Sequence, residues 1–199
     1  MNFTPLVQKA IDMSARLHNG QNRKNDETLP YVSHCFSVAC ILSQYTGKPE
    51  VIAAGLLHDV LEDVKGYTYY DLLRDFGPEV ANLVKAVSED KDPNAKTDKR
   101  ASWMKRKKGY LENLQKHGSG AMLICAADKI NNLRSVTAWY LETGEKTWEK
   151  FNSSVKNQIW YYQEVLRILK IGLRGNTIIS SLEKEIERFL DVLLKSKSI

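Results

Sequence analysis

The stretch LLHDVLED, residues 56–63, places four ionisable side chains directly behind an apolar run. The spacing predicts one largely buried helix through this stretch, in which His58 lies one turn from Glu62. In the same way, Asp59 lies one turn from Asp63. Burying these groups without partners costs several kcal/mol, so a compensating positive charge is expected. Because His and Asp are ordinary ligands of zinc, manganese and iron, the pattern favours a divalent metal site over a simple exposed helix end.

Two further segments carry side chains of the same chemistry. The segment YVSH, residues 31–34, puts His34 at the start of a helix, although a lone histidine there is more often structural or capping. Asp128 interrupts the apolar run Met122–Ala127, and an aspartate in so apolar a helix needs a partner, for which a metal ion is the simplest choice. Two imidazoles and two carboxylates would then meet: His34, His58, Asp59 and Asp128.

Helical periodicity runs through nearly the whole chain and indicates an all-α bundle of about seven to nine helices. Alternation of period two is absent, so no sheet is predicted. We expect a single domain over residues 1–199. The predicted helices cover about residues 4–18, 33–45, 49–64, 70–76, 78–88, 98–116, 121–142, 147–169 and 177–195.

Composition and cysteine usage narrow the class of protein. Of the 199 residues, 43% are hydrophobic and 27% are charged, which suits a domain with its own core and argues against a disordered chain. No apolar stretch is long enough for a membrane span, and the N-terminus lacks the pattern of a signal peptide. The three cysteines, Cys35, Cys40 and Cys125, show no CxxC spacing and are predicted to be buried, reduced thiols. We therefore expect a cytoplasmic protein.

The net charge of +5 is concentrated in one segment, because residues 91–116 hold nine Lys and Arg against three Asp and Glu. This surplus predicts one positive surface, suited to a phosphate-rich ligand or to RNA. A lysine-rich solvated helix face explains the composition equally well. Trp103 and Tyr110 lie within the segment and could stack on bases or belong to the core. The aromatic residues from Trp148 onward are predicted to be core.

The motif order H…HD…D resembles the HD phosphohydrolase superfamily. With Glu62-Asp63, the sequence is similar to the hydrolase domain of the RelA/SpoT family, which removes the 3′-pyrophosphate from the alarmones ppGpp and pppGpp. The similarity spans about residues 23–134, and we expect a stand-alone small alarmone hydrolase without a synthetase domain. The supporting matches are Arg23-Lys24, Asp75-Phe76-Gly77 with Val80-Ala81, Val87-Ser88-Glu89-Asp90-Lys91 and ADKINNLR at residues 127–134.

The resemblance implies a manganese-dependent pyrophosphohydrolase, although the ligand chemistry alone leaves zinc or iron open. The metal ligands would be His34, His58, Asp59 and Asp128. Glu62 and Asp63 would orient or deprotonate the attacking water and protonate the leaving oxygen. No covalent nucleophile is needed.

The resemblance also implies a binding site for a guanosine nucleotide as the small-molecule partner. Arg23 and Lys24 would hold the guanosine, with Arg23 stacking on the base. Asn132 and Ser135 would contact the base or the ribose. Asn131 stands where family members often carry His or Tyr. Cations in residues 99–108 would neutralise the 5′-phosphates.

Two other functions stay open at this point. The first is another HD-type enzyme, such as a 5′-nucleotidase or a phosphatase acting on NADPH. The second is a non-catalytic alarmone sensor or an RNA-binding module. The Glu62-Asp63 and Arg23-Lys24 pairs favour the alarmone hydrolase over another HD-type enzyme. An intact metal set argues against a non-catalytic protein, because a pure binder has no need of Glu62. Nucleic acid is the less favoured partner, and no membrane partner is expected.

Overall fold

The computed structural model describes residues 3–89 and 100–196, and within them α-helices enclose one apolar core. The prediction of an all-α bundle is confirmed. In chain order the elements are α1 (Pro5–Leu17), β1 (Asn22–Arg23), β2 (Asp26–Pro30), α2 (Val32–Leu42), α3 (Pro49–Leu56), α4 (Val60–Asp63), α5 (Tyr69–Val87), α6 (Trp103–Leu114), α7 (Ser119–Thr143), a 3₁₀ helix (Gly144–Lys150), α8 (Val155–Gly172) and α9 (Ile178–Ser196).

Helix α7 lies at the centre of the bundle. Every residue from Ala121 to Ile130 is buried, and the helix packs against α2, α3, α5, α8 and α9. A helix that is apolar on all sides has to be enclosed in this way. Asp128 and Lys129 are buried within this run, so α7 carries two charged side chains into the interior.

Local sequence signals explain where several helices begin and bend. Thr4 caps α1 by accepting the Val7 N–H, with proline in the first turn. A reciprocal capping box between Thr68 and Asp71 starts α5. Gly77 then kinks α5 through a backbone φ of 79°, ahead of Pro78. The separate helices predicted over 70–76 and 78–88 are thus the two arms of one bent helix.

The prediction that the chain holds no sheet is wrong in one place. Strands β1 and β2 form an antiparallel hairpin in which Asn22 pairs with Pro30 and Arg23 pairs with Asp26. Every residue of β2 is exposed. Because alternation of period two arises only when one face of a strand is buried, this hairpin leaves no such pattern in the sequence.

The single helix predicted over LLHDVLED is also wrong. Helix α3 ends at Leu56 and α4 begins at Val60, so His58 and Asp59 lie in the turn between them. The Leu57 N–H donates to the Ala54 carbonyl oxygen at 3.2 Å, a tightened bond of the i to i−3 type. The one-turn spacing of His58 and Glu62 therefore does not describe one helical face.

The aromatic residues from Trp148 onward lie in or against the core, as predicted. Trp103 and Tyr110, for which the sequence left base stacking and the core open, belong to the core as well. Trp103 and Tyr110 are buried, and both rings pack against Tyr161, with ring centroids 6.0 and 6.3 Å away. The predicted basic helix over 98–116 corresponds to α6, although its first two residues, 98 and 99, lie outside the described residues. None of the described helices combines the length and apolar character needed to cross a bilayer. Cys35 and Cys125 are buried as predicted, but the prediction is wrong for Cys40, which lies on the exposed face of α2.

Candidate functional site

The two histidines and two aspartates selected from the sequence lie together where α2, the α3–α4 turn and α7 meet. His34 belongs to the first turn of α2, and its Nε2 lies 3.2 Å from Nε2 of His58. Asp59 Oδ2 is 3.1 Å from His58 Nε2 and 3.6 Å from His34 Nε2. Asp128 Oδ1, from α7, is 3.2 Å from His34 Nε2 and 3.7 Å from His58 Nε2. Three elements distant in sequence therefore supply one cluster.

The turn between α3 and α4 brings His58 and Asp59 to the same point. Adjacent residues in a regular helix point about 100° apart, so a continuous helix would separate their side chains. Here the side chains converge to 3.1 Å. This unpredicted break in the helix is what makes His58 and Asp59 usable as two neighbouring ligands.

Each imidazole is oriented by a hydrogen bond at its other nitrogen. His58 Nδ1 lies 2.8 Å from the carbonyl oxygen of Gly55, which can only accept, so Nδ1 carries a proton. His34 Nδ1 lies 2.6 Å from Oδ1 of Asn131. Both Nε2 atoms therefore face the two carboxylates. This convergence of two imidazole nitrogens and two carboxylate oxygens fits a divalent metal ion.

The two carboxylates are also held by polar neighbours. The Tyr31 hydroxyl donates to Asp59 Oδ2 at 2.5 Å. Lys129 Nζ donates to Asp128 Oδ2 at 2.5 Å, and Asn132 Nδ2 donates to Asp128 Oδ1 at 2.5 Å. No role was predicted for Tyr31 or Lys129, although they lie inside the segments YVSH and ADKINNLR. Their proximity to His34 and Asp128 in the sequence was the only available signal.

Charge within the cluster outweighs the effect of burial. Burial opposes protonation of His58, but the Asp59 charge and hydrogen bonds to both aspartates raise the pKa of His58 well above its ordinary value. Burial likewise opposes ionisation of Asp128, but the Lys129 charge and the two imidazoles lower the pKa of Asp128 well below its ordinary value. Burial and the Asp59 charge both raise the pKa of Tyr31. Near neutral pH the carboxylates are therefore charged and the phenol keeps its proton.

The predicted acid–base pair lies beside this cluster in the sequence, on α4. Glu62 is half-buried, and its Oε1 accepts the backbone N–H of Glu89 at 2.9 Å. Asp63 is exposed, and its backbone carbonyl accepts a hydrogen bond from Gln21 at 2.9 Å. The Glu89 contact is a feature that the sequence did not indicate. The catalytic roles of Glu62 and Asp63 stay predictions.

The predicted nucleotide residues Arg23 and Lys24 line an open cleft of about 560 Å³ at the hairpin. The Arg23 guanidinium lies 5.5 Å from the centre of the Tyr31 ring, so Tyr31 joins this cleft to Asp59. Lys150, which the sequence analysis did not select, contributes a third cation to the cleft.

The other predicted substrate contacts have a mixed outcome. Asn132 donates to Asp128, and Ser135 is half-buried further along α7. Among the cations assigned to 5′-phosphates, Arg106 and Lys107 both pair with Glu89. The other described lysines of this segment, Lys105 and Lys108, are exposed, and Lys99 lies outside the described residues.

Comparison with known proteins identifies relatives over the part of the chain that contains the His and Asp cluster. The family model of the HD domain matches residues 10–152. The guanosine-3′,5′-bis(diphosphate) 3′-pyrophosphohydrolase MESH1 of Drosophila melanogaster is 34% identical over 151 residues, which are 71% of this chain and 79% of that protein. The bifunctional (p)ppGpp synthase/hydrolase SpoT of Escherichia coli K12 is 37% identical over 136 residues, which are 65% of this chain and 18% of that protein.

Solved structures agree with this relationship. One, described as a metazoan ortholog of SpoT that hydrolyses ppGpp and plays a role in starvation responses, superposes with a TM-score of 0.73 at 27% identity, covering 94% of this chain and 97% of its own. The protein lmo0812 from Listeria monocytogenes EGD-e superposes with a TM-score of 0.66 at 30% identity, covering 77% and 96%. The chain therefore belongs to the HD-domain family and is a relative of the MESH1 and SpoT hydrolases.

Proposed function

We propose that this protein hydrolyses the 3′-pyrophosphate of ppGpp and pppGpp, giving GDP or GTP and pyrophosphate. The observation that carries the proposal is the convergence of His34, His58, Asp59 and Asp128 on one point in a chain that is 34% identical to a MESH1 hydrolase. We assign hydrolysis alone, without alarmone synthesis, to these residues.

Manganese is the proposed metal, and zinc and iron are the alternatives that share the same ligand chemistry. The two imidazoles and two carboxylates would hold the ion, with Tyr31 and Asn131 orienting Asp59 and His34. A divalent ion bound there supplies positive charge that acidifies water and stabilises charge on the phosphoryl oxygens.

Glu62 is the proposed acid–base residue, together with Asp63. Its carboxylate takes a proton from the attacking water, and the bond between phosphorus and the 3′-oxygen breaks as the new bond to the water oxygen forms. The proton is then returned to the 3′-oxygen of the leaving nucleotide. Arg23 and Lys24 hold the guanosine in the cleft beside Tyr31, which keeps the 3′-side of the substrate towards Asp59.

The RNA-binding alternative loses its main support. The two aromatic residues offered for base stacking, Trp103 and Tyr110, are buried in the core. Two of the cations on the same helix, Arg106 and Lys107, are paired within the protein. The observations therefore favour an enzyme that acts on a small phosphorylated molecule.

The function is tested with purified protein, Mn²⁺ and a panel of ppGpp, pppGpp, NADPH and deoxynucleoside monophosphates. Product analysis should detect pyrophosphate with GDP or GTP, and kcat/KM should be highest for the alarmones. A clear preference for NADPH or for a monophosphate would overturn the alarmone assignment. Incubation of GDP or GTP with ATP should yield no alarmone.

The role of Glu62 is tested in the same assay with E62Q. We expect kcat to fall by about 10²–10⁴, the usual contribution of a positioned acid–base group, while metal and substrate still bind. The matched control is E112Q, at an exposed glutamate of α6. A variant with normal kcat and a raised KM would identify Glu62 as a binding residue instead.

A further inference from the structure

The centre of the basic helix α6 is turned towards one buried carboxylate. Arg106 and Lys107 both hydrogen-bond to the side chain of Glu89, which is only 6% exposed. Burial opposes ionisation of Glu89, but the charges of Lys107 and Arg106 lower the pKa of Glu89 below its ordinary value. These two cations therefore form an internal ion-pair cluster with Glu89.

The same residue reaches the proposed acid–base group through its backbone. The N–H of Glu89 donates to Oε1 of Glu62 at 2.9 Å. A glutamate side chain has three rotatable bonds, and a hydrogen bond from the backbone limits which rotamers it adopts. Because α6 holds the Glu89 side chain, it also restricts where the Glu89 backbone N–H can lie.

The cluster continues to the other side of the site. Lys107 Nζ lies 4.7 Å from the centre of the Tyr161 ring, and Lys129 Nζ lies 5.4 Å from the same ring. Lys129 in turn donates to Asp128 at 2.5 Å. One packed unit from α6, α7 and α8 therefore borders both Glu62 and a proposed metal ligand.

We propose that Glu89 is a positioning residue for Glu62, and that Arg106 and Lys107 serve catalysis by holding Glu89 and not by binding substrate phosphates. The inference rests on the proposed function and deepens it. A displacement of about 1 Å at a reacting group can cost about 100-fold in rate, so loss of this support should be visible in kcat.

The test compares E89Q and the double variant R106Q/K107Q with wild type, in both the wild-type and the E62Q backgrounds. Matched controls are E112Q and K184Q/R188Q, which remove the same charges from exposed positions of α6 and α9. For each protein, kcat and KM for ppGpp, the melting temperature and the Mn²⁺ stoichiometry are measured.

We expect E89Q and R106Q/K107Q to lower kcat by about 10- to 100-fold, with KM changed by less than about threefold. In the E62Q background, neither change should lower kcat further, because the group that Glu89 positions is already gone. Bound Mn²⁺ should stay at the wild-type level, and both controls should keep wild-type kcat.

Other results would overturn the inference. Equal fold losses in both backgrounds would identify Glu89 as a purely structural residue. A rise in KM for R106Q/K107Q with unchanged kcat would return these cations to phosphate binding. If E89Q does not fold, the single variant R106Q, at a side chain that is 24% exposed, carries the same comparison.

Failure of the proposed function is distinguishable from failure of the inference about Glu89. The proposed function is wrong if wild type releases no pyrophosphate from ppGpp. The comparison of backgrounds is then made with the member of the nucleotide panel that wild type does hydrolyse. A kcat loss that disappears in the E62Q background would still support the inference, and a loss that persists there would overturn it.

Discussion

Tyr31 touches both halves of the proposed site, through its hydroxyl to Asp59 and through its ring to Arg23. The hydroxyl donates to Oδ2, the same oxygen that faces the two imidazoles. A hydrogen bond of this kind fixes the direction of a metal-binding carboxylate. Tyr31 therefore links the orientation of a proposed metal ligand to the cleft proposed for the nucleotide.

We expect Y31F to weaken Mn²⁺ binding by about 10- to 100-fold, the usual effect of removing an outer hydrogen bond to a metal ligand. Titration calorimetry on metal-free protein measures this directly. The control is Y67F, which removes another tyrosine–aspartate hydrogen bond, to Asp75, an aspartate outside the proposed ligand set. Equal Mn²⁺ affinity in Y31F and wild type would show that Tyr31 does not orient Asp59.

Three of the proposed ligands, His58, Asp59 and Asp128, could be selected from sequence because each is a polar residue placed against an apolar pattern. His34 was selected only together with them, as a second imidazole at a helix start. Their supporting partners could not be selected in this way. Asn131 contacts His34 across 97 residues, and Tyr31 contacts Asp59 across 28. Such pairs form only when α2 packs against α7 and the α3–α4 turn, so no local sequence pattern predicts them.

At the scale of elements, the break between α3 and α4 is another feature that no local sequence pattern predicts. Gly55 stands next to it, but this glycine serves packing, because a Cβ there would lie 2.2 Å from Cδ1 of Leu42 on α2. No proline follows until Pro78. Helix propensity therefore favours a continuous helix. The turn is found where His58 and Asp59 make their tertiary contacts.

The bend in α5, in contrast, is predicted by the sequence Gly77-Pro78. With φ of 79° and ψ of 173°, Gly77 occupies backbone space that other residues adopt only with strain. We expect G77A to destabilise the fold by about 1–3 kcal/mol in urea unfolding. G109A is the control in helical backbone, with open space around its Cβ, and should stabilise by up to about 1 kcal/mol. An equal effect of both substitutions would exclude backbone strain as the cause.

The attachment of α6 to the core should depend on pH through Glu89. Because its pKa is lower in the folded chain than the ordinary 4.5, the ionised carboxylate adds stability above that value. This contribution is lost as pH falls through the folded pKa. E89Q should therefore be about 1–3 kcal/mol less stable than wild type near neutral pH, with a difference that shrinks in acid below about pH 4.5.

Urea unfolding of wild type, E89Q and E112Q across this range measures the effect. Glu112 is exposed on the same helix, so E112Q should follow wild type at every pH. A difference between E89Q and wild type that stays constant into acid would show that the charge of Glu89 is not what stabilises α6.

For the whole molecule, the wide separation of the proposed ligands in the sequence means that metal binding should depend on folding. His34, the His58-Asp59 pair and Asp128 come from α2, the α3–α4 turn and α7, which meet only in the folded chain. An ion that binds these groups binds the native state and not the unfolded chain, so its binding free energy adds to the free energy of unfolding.

We therefore expect Mn²⁺ at about 100 times its Kd to stabilise the protein by about 2.7 kcal/mol, which raises Tm by about 5–10 °C for a chain of this size. Thermal melting of metal-free protein, with and without Mn²⁺, measures the rise. D128A removes one carboxylate ligand and should abolish the rise, whatever its effect on Tm without metal. D191A, at an exposed aspartate of α9, should keep it. If D128A keeps the full rise in Tm, the ion binds without Asp128, and Asp128 is not one of its ligands.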